Sequence, residues 1–158
     1  EAGRQAGTDS PSIIGRPTQG HGWRKVMSAA PHRGSCLCGE ITYEVHGPLR
    51  NVIACHCTQC RKQTGHFMAA TSADRNDLKL VGASHLRWYR SSAQAERGFC
   101  IHCGSILFWR ADGQADISIT AGTIDGPTGL TTEGHIFCAD KGDYYTIPAE
   151  GYRRDQWT

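Results

Sequence analysis

The sequence has no long apolar run. Nothing in it approaches the ~18 consecutive apolar residues of a membrane-spanning helix, so a helical membrane protein is excluded. Net charge is also scarce. Seventeen Lys and Arg against fifteen Asp and Glu give +2, too weak a field to call for a nucleic acid or a membrane surface. Basic residues and aromatics meet only in scattered pieces such as "HLRWYR", not in the stripe a nucleic-acid binder needs. The N-terminus has no apolar h-region, so no secretory signal is visible and the expected location is cytoplasmic. A 3.6-residue period never persists for a dozen residues, which argues against a helical bundle, and no internal repeat is present.

What is abundant is glycine, at 19, and cysteine, at 8. Glycine at that level suits a turn-rich β protein. With 158 residues and 39% hydrophobic content, one globular domain with a core is expected. Residues 1–30, rich in Gly, Ser, Pro, Arg and Gln, read as a disordered leader or an appended extension. Met27 is a natural start, and residues 31–158 read as a single domain. Strand candidates follow closely: "ITYEVHG", with Ile41, Tyr43 and Val45 alternating against Thr42 and Glu44; "NVIAC"; "FMAATSA"; "HLRWYRS"; "SILFWR"; "ADISITAG"; "GHIFCA"; and "DYYTI". "RKQTG" can close one helical turn and stop at Gly65. Strands this short and frequent imply a mainly β fold, a curved sandwich with little helix.

In a cytoplasmic chain, clustered cysteines more often bind metal than pair as disulfides. In "SCLCGE", residues i and i+2 of an extended chain share a face, so Cys36 and Cys38 can aim two sulfurs at one ion. Gly39 then lets the backbone turn. "FCIHCGS" supplies a C-x-x-C knuckle, Cys100 and Cys103, followed by Gly104. Together the two halves make a closed four-cysteine site suited to zinc, whose binding energy becomes folding energy. His102, between two of the ligands, is expected to point outward.

"CHCTQC" is different. Cys55, Cys57 and Cys60 can converge on one ion from a single segment, with no evident fourth ligand. His56 has the wrong parity to join them. His135 and Cys138 are distant candidates. Cys138 reads as a buried small hydrophobe, and its completing a second four-cysteine site is the competing arrangement. Three protein ligands with a position left for water or substrate mark a catalytic zinc, whereas four mark a structural one.

The ordered set "GSCLCGEITYEV", "CHCTQCRKQTG", "GFCIHCGSILFW", "ITAGTID" and "GHIFCADKGDYY" resembles the glutathione-dependent formaldehyde-activating enzymes, a family that includes the centromere protein V group. The resemblance runs from about Gly34 to Tyr145. It implies a fold of several small curved antiparallel sheets, the kind called Mss4-like, and two Zn²⁺ per chain. Cys36, Cys38, Cys100 and Cys103 match the structural zinc ligands; Cys55, Cys57 and Cys60 match those of the catalytic zinc. It implies a carbon–sulfur lyase whose partners are a thiol such as glutathione and a small aldehyde, formaldehyde. His56, His66, Lys62 and Arg61 flank the second site and read as surface or anion-contact residues. "GDYY" stands where many members have Pro-Trp. The alternative function is a non-catalytic zinc module that binds a protein or nucleic acid. A redox-active C-x-x-C protein is a third, but the βαβ context it needs is missing.

Overall fold

The computed structural model describes residues 24–157. Residues 1–23 of the expected leader lie outside the described ones. Among the described residues, thirteen strands and one α-helix follow in order: β1 Lys25–Val26, β2 His32–Ser35, β3 Thr42–Val45, β4 Leu49–Arg50, β5 Val52–Cys55, α1 Thr58–Thr64, β6 Met68–Asp74, β7 Leu78–Val81, β8 Leu86–Ser92, β9 Ala95–Cys100, β10 Ile106–Ala111, β11 Asp116–Thr120, β12 Thr132–Ile136 and β13 Tyr152–Arg153. The protein is mainly β with several sheets. The largest has eight strands in the order β13-β12-β5-β6-β11-β10-β9-β8. A second has the order β2-β3-β7, and a third is the pair β1-β4.

Most pairings are antiparallel, as expected from short strands joined by turns. At one end, however, β12 runs parallel to both β5 and β13. Parallel pairing needs a long crossover. It brings residues far apart in sequence to the strand that carries Cys55.

Side-chain alternation builds the core. In β3, Tyr43 and Val45 are buried while Thr42 is exposed. They join Ile41, Leu107, Phe108, Ile117 and Ile119 in one cluster, which unites the three-stranded sheet with the large one. The Tyr43 and Phe108 rings meet edge-on, with centroids 5.4 Å apart, a favourable aromatic geometry. Gly34 pairs with Tyr43 across β2 and β3. A Cβ there would stand 2.3 Å from the Tyr43 hydroxyl oxygen, so only glycine lets the ring cross the strand.

Helix α1 is capped at its start by Cys57, whose sulfur accepts from the Cys60 amide. It ends at Gly65, left-handed at φ 77°, whose N–H closes on the Arg61 carbonyl. The stop at Gly65 is the expected one. The helix is one turn longer than "RKQTG" suggests, because the thiol cap starts it earlier.

Two strand expectations need correction. "DYYTI" is not a strand: Tyr144 and Tyr145 sit in a turn and loop. Their rings and hydroxyls dock on the α1 end and on His56, and those contacts replace a ladder. "GHIFCA" stops being a strand at Ile136, since Phe137 adopts φ 55° and opens a 3-10 turn over Cys138–Asp140.

Candidate metal centres

Two groups of cysteines come together, and each could hold a metal ion. The sulfurs of Cys36, Cys38, Cys100 and Cys103 lie within 4.8 Å of one another, as do those of Cys55, Cys57 and Cys60.

The first group joins two turns. Cys36 follows β2, and its carbonyl accepts the Gly39 N–H at 3.1 Å. The two sulfurs therefore converge through a tight turn, not by sharing the face of an extended segment, and they stand 3.5 Å apart. Gly39 has φ 80° and Gly104 φ 73°, the left-handed conformations a turning knuckle requires. The Ile41 amide donates to Cys36 Sγ at 3.3 Å. From the other turn, Cys100 Sγ reaches Cys38 Sγ at 3.7 Å. Ser105 links the halves: its hydroxyl accepts from the Leu37 amide at 2.9 Å and lies 3.2 Å from Cys103 Sγ. The Ser105 hydroxyl, then its amide, hold the Cys103 thiol down at about 5. Ser105 gives no signal in the sequence beyond its place after C-x-x-C-G. His102 is exposed, as expected, and its ring meets His85 at 2.8 Å.

The second group sits where β5 runs into α1. Cys55 ends the strand, Cys57 caps the helix and Cys60 lies in its first turn. Hydrogen bonds from Cys55 and Cys60 hold the Cys57 thiol at about 2. The same exchange of hydrogen bonds, with Cys57 first, pushes Cys55 up. The exchange favours the thiolate form at Cys57 over Cys55. No fourth Cys, His or carboxylate among the described residues joins them. Cys138 is half-buried, in the 3-10 turn after β12, outside both groups.

His56, expected to be a surface or anion-contact residue, is instead fully buried. It does face away from its cysteine neighbours, as its parity requires. Its Nδ1 meets the Tyr145 hydroxyl at 2.7 Å and its Nε2 meets His135 Nδ1 at 3.0 Å. Burial, then the neighbouring His135, hold His56 down at about 4. Burial and Arg153 also lower His135. Both imidazoles are therefore neutral at pH 7. His66 and Lys62 are exposed, as expected, and Arg61 is half-buried. The His66 ring packs against Tyr145, with centroids 4.2 Å apart.

Arg97 is a residue that sequence reading missed. It is buried on β9, and both terminal nitrogens lie 3.7 Å from Cys60 Sγ. Its only sequence signal is a lone Arg three residues before Cys100, which spacing alone cannot interpret.

No helix among the described residues is long and apolar enough to cross a membrane. Comparison with known proteins gives a family and a fold. An uncharacterised lyase of Schizosaccharomyces pombe is 29% identical over 119 residues, covering 72% of this chain and 83% of that protein. A crystal structure of a Rhodobacter sphaeroides protein superposes with a TM-score of 0.53 at 27% identity, covering 65% of this chain and 98% of that one. The model of the family described as glutathione-dependent formaldehyde-activating enzyme matches residues 31–140, a span that contains all seven clustered cysteines. The chain belongs to the glutathione-dependent formaldehyde-activating enzyme family.

Proposed function

We propose that this protein is a zinc-dependent carbon–sulfur lyase of the S-(hydroxymethyl)glutathione synthase type, joining a thiol such as glutathione to formaldehyde at the three-cysteine centre. The observation that carries the reading is the convergence of Cys55, Cys57 and Cys60 without a fourth protein ligand among the described residues. Two Zn²⁺ per chain are part of the proposal. Thiolates around tetrahedral zinc, with bonds of about 2.3 Å, stand about 3.8 Å apart. The separations of 3.5 Å and 3.7 Å in the four-cysteine group support that fit. Cys36, Cys38, Cys100 and Cys103 would hold the structural zinc, and Cys55, Cys57 and Cys60 the catalytic one. A reducing, cytoplasmic setting would keep these thiols free.

When bound at the three sulfurs, zinc supplies Lewis acidity toward the incoming thiol or the aldehyde oxygen. In the reaction, the thiol sulfur forms a bond to the carbonyl carbon. The carbon–oxygen π pair moves to oxygen, which takes up the proton that the thiol gave up. The chain's own contribution is orientation and charge. Capping of α1 by Cys57 fixes the angle between Cys57 and Cys60. Arg61 and Lys62 follow Cys60 and place positive charge beside the centre.

The test is zinc content and activity on reductant-purified full-length protein. Two zincs per chain are expected, with hemithioacetal formation, followed by NMR, faster than the spontaneous rate. If glutathione perturbs neither zinc and the addition is not accelerated, the enzyme reading is lost. A non-catalytic zinc module would then stand in its place.

A further inference from the structure

Arg97 presents a problem of charge. It is 7% exposed, and a buried guanidinium is strongly unfavourable unless an anion compensates it. Among the described residues no carboxylate lies within ion-pair distance of it. The acids nearby in sequence and across the sheet, Glu96 and Asp112, are engaged by Arg90 and Arg110.

The guanidinium turns to α1 instead. Nη1 donates to Gln63 Oε1 at 3.1 Å, and Nη2 to Gln59 Oε1 at 3.2 Å. The two glutamines are one helical turn apart and hold the guanidinium by both of its ends. Gln59 is itself fixed, since its amide nitrogen donates to the Ser91 carbonyl at 3.1 Å. With the plane so held, both terminal nitrogens converge on Cys60 Sγ at 3.7 Å. Amide oxygens are neutral, so the sulfur is the acceptor in this set that can carry a full negative charge. The four-cysteine group has no Lys or Arg donor among the described residues.

We propose that Arg97 is a positioning residue of the three-cysteine centre, its clamped guanidinium cancelling thiolate charge at Cys60 so that an anionic thiol can approach. The inference rests on the reading of Cys55, Cys57 and Cys60 as zinc-binding thiolates. Three thiolates and one Zn²⁺ sum to −1, and Arg97 brings the centre to neutrality. An incoming thiolate then meets no net repulsion, whereas a four-thiolate centre at −2 would repel it. Lysine would not serve equally. Its ammonium is a compact point charge and cannot hold two glutamines and a sulfur in one plane.

The experiment compares zinc-loaded wild type with Arg97→Met, Arg97→Lys and the pair Gln59→Ala/Gln63→Ala. Partners of this kind are worth roughly 10–100-fold in metal affinity. In Arg97→Met we expect one zinc of the two to be weakened by about that factor in a chelator titration, with the other unchanged. In cobalt-substituted protein the sulfur-to-metal absorption band of that centre should shift, and Arg97→Lys should fall between. Folded Arg97→Met with both affinities and the band of wild type would overturn the proposal. If Arg97→Met does not fold, the glutamine pair decides: it keeps the charge but frees it, and wild-type affinity and band there would overturn the proposal equally. Cys57→Ser separates this inference from the reading beneath it. If that variant keeps both zincs, the three-cysteine reading fails. If it loses one while Arg97→Met is silent, only the role of Arg97 fails.

Discussion

Tyr145 shows how one hydroxyl ties the loop after β12 to the segment that carries Cys55 and Cys57. Its oxygen is 2.7 Å from the Nδ1 of fully buried His56, whose other nitrogen is committed to His135. Tyr145→Phe keeps the ring stacking but strands that nitrogen. An unsatisfied buried polar group costs about 1–3 kcal/mol. Urea denaturation should show a loss in that range, and a change below about 0.5 kcal/mol would mean that His56 finds another partner. This contact could not be read from the sequence. His56 alternates with two cysteines, which predicts that it points away from them but not what it meets. The partner lies 89 residues along the chain.

At the scale of elements, the two cysteine groups are built differently and should fail differently. The three-cysteine group is local, drawn from β5 and α1. Cys57→Ser removes a thiolate but leaves an oxygen that caps a helix well. The expected outcome is loss of one metal equivalent with circular dichroism and melting close to wild type. The four-cysteine group joins turns 62 residues apart, and metal bound there counts as folding energy. Cys100→Ser should therefore lower the melting temperature sharply or prevent folding. Equal melting of the two variants would contradict this division. The grouping itself was legible, because C-x-C, C-x-C-x-x-C and C-x-x-C-G each dictate which sulfurs meet. The local backbone was not. Cys36 and Cys38 converge through a turn, which a two-residue spacing fits as readily as a strand.

For the whole molecule, pH dependence follows from the two neutral imidazoles. His56 is held at about 4 and His135 is also lowered, while an unfolded histidine titrates near 6.5. Between those values the unfolded chain binds protons that the folded chain refuses. Stability therefore falls as pH drops below about 6.5, for His56 down to about 4 and by up to about 1.4 kcal/mol per pH unit, and His135 adds to the loss in the same direction. His135→Gln should make the loss between pH 7 and pH 5 shallower, as read from urea midpoints of zinc-saturated protein. Identical slopes in variant and wild type would rule out His135 as a contributor.

The sequence by itself determined the class of the fold, the two sulfur groups and the family resemblance that the family model bears out. Each of these depends on spacing within a short segment: alternation in a strand, sulfurs two or three residues apart, a glycine where the backbone must turn. Only the tertiary structure decided what surrounds the second group. The parallel alignment of β12 beside β5 buries His135 against His56. The packing of β9 against α1 sets a buried guanidinium beside Cys60. Those neighbours are joined across 37 and 79 residues of chain. No local spacing encodes such contacts; strand pairing and the cost of burying charge select them.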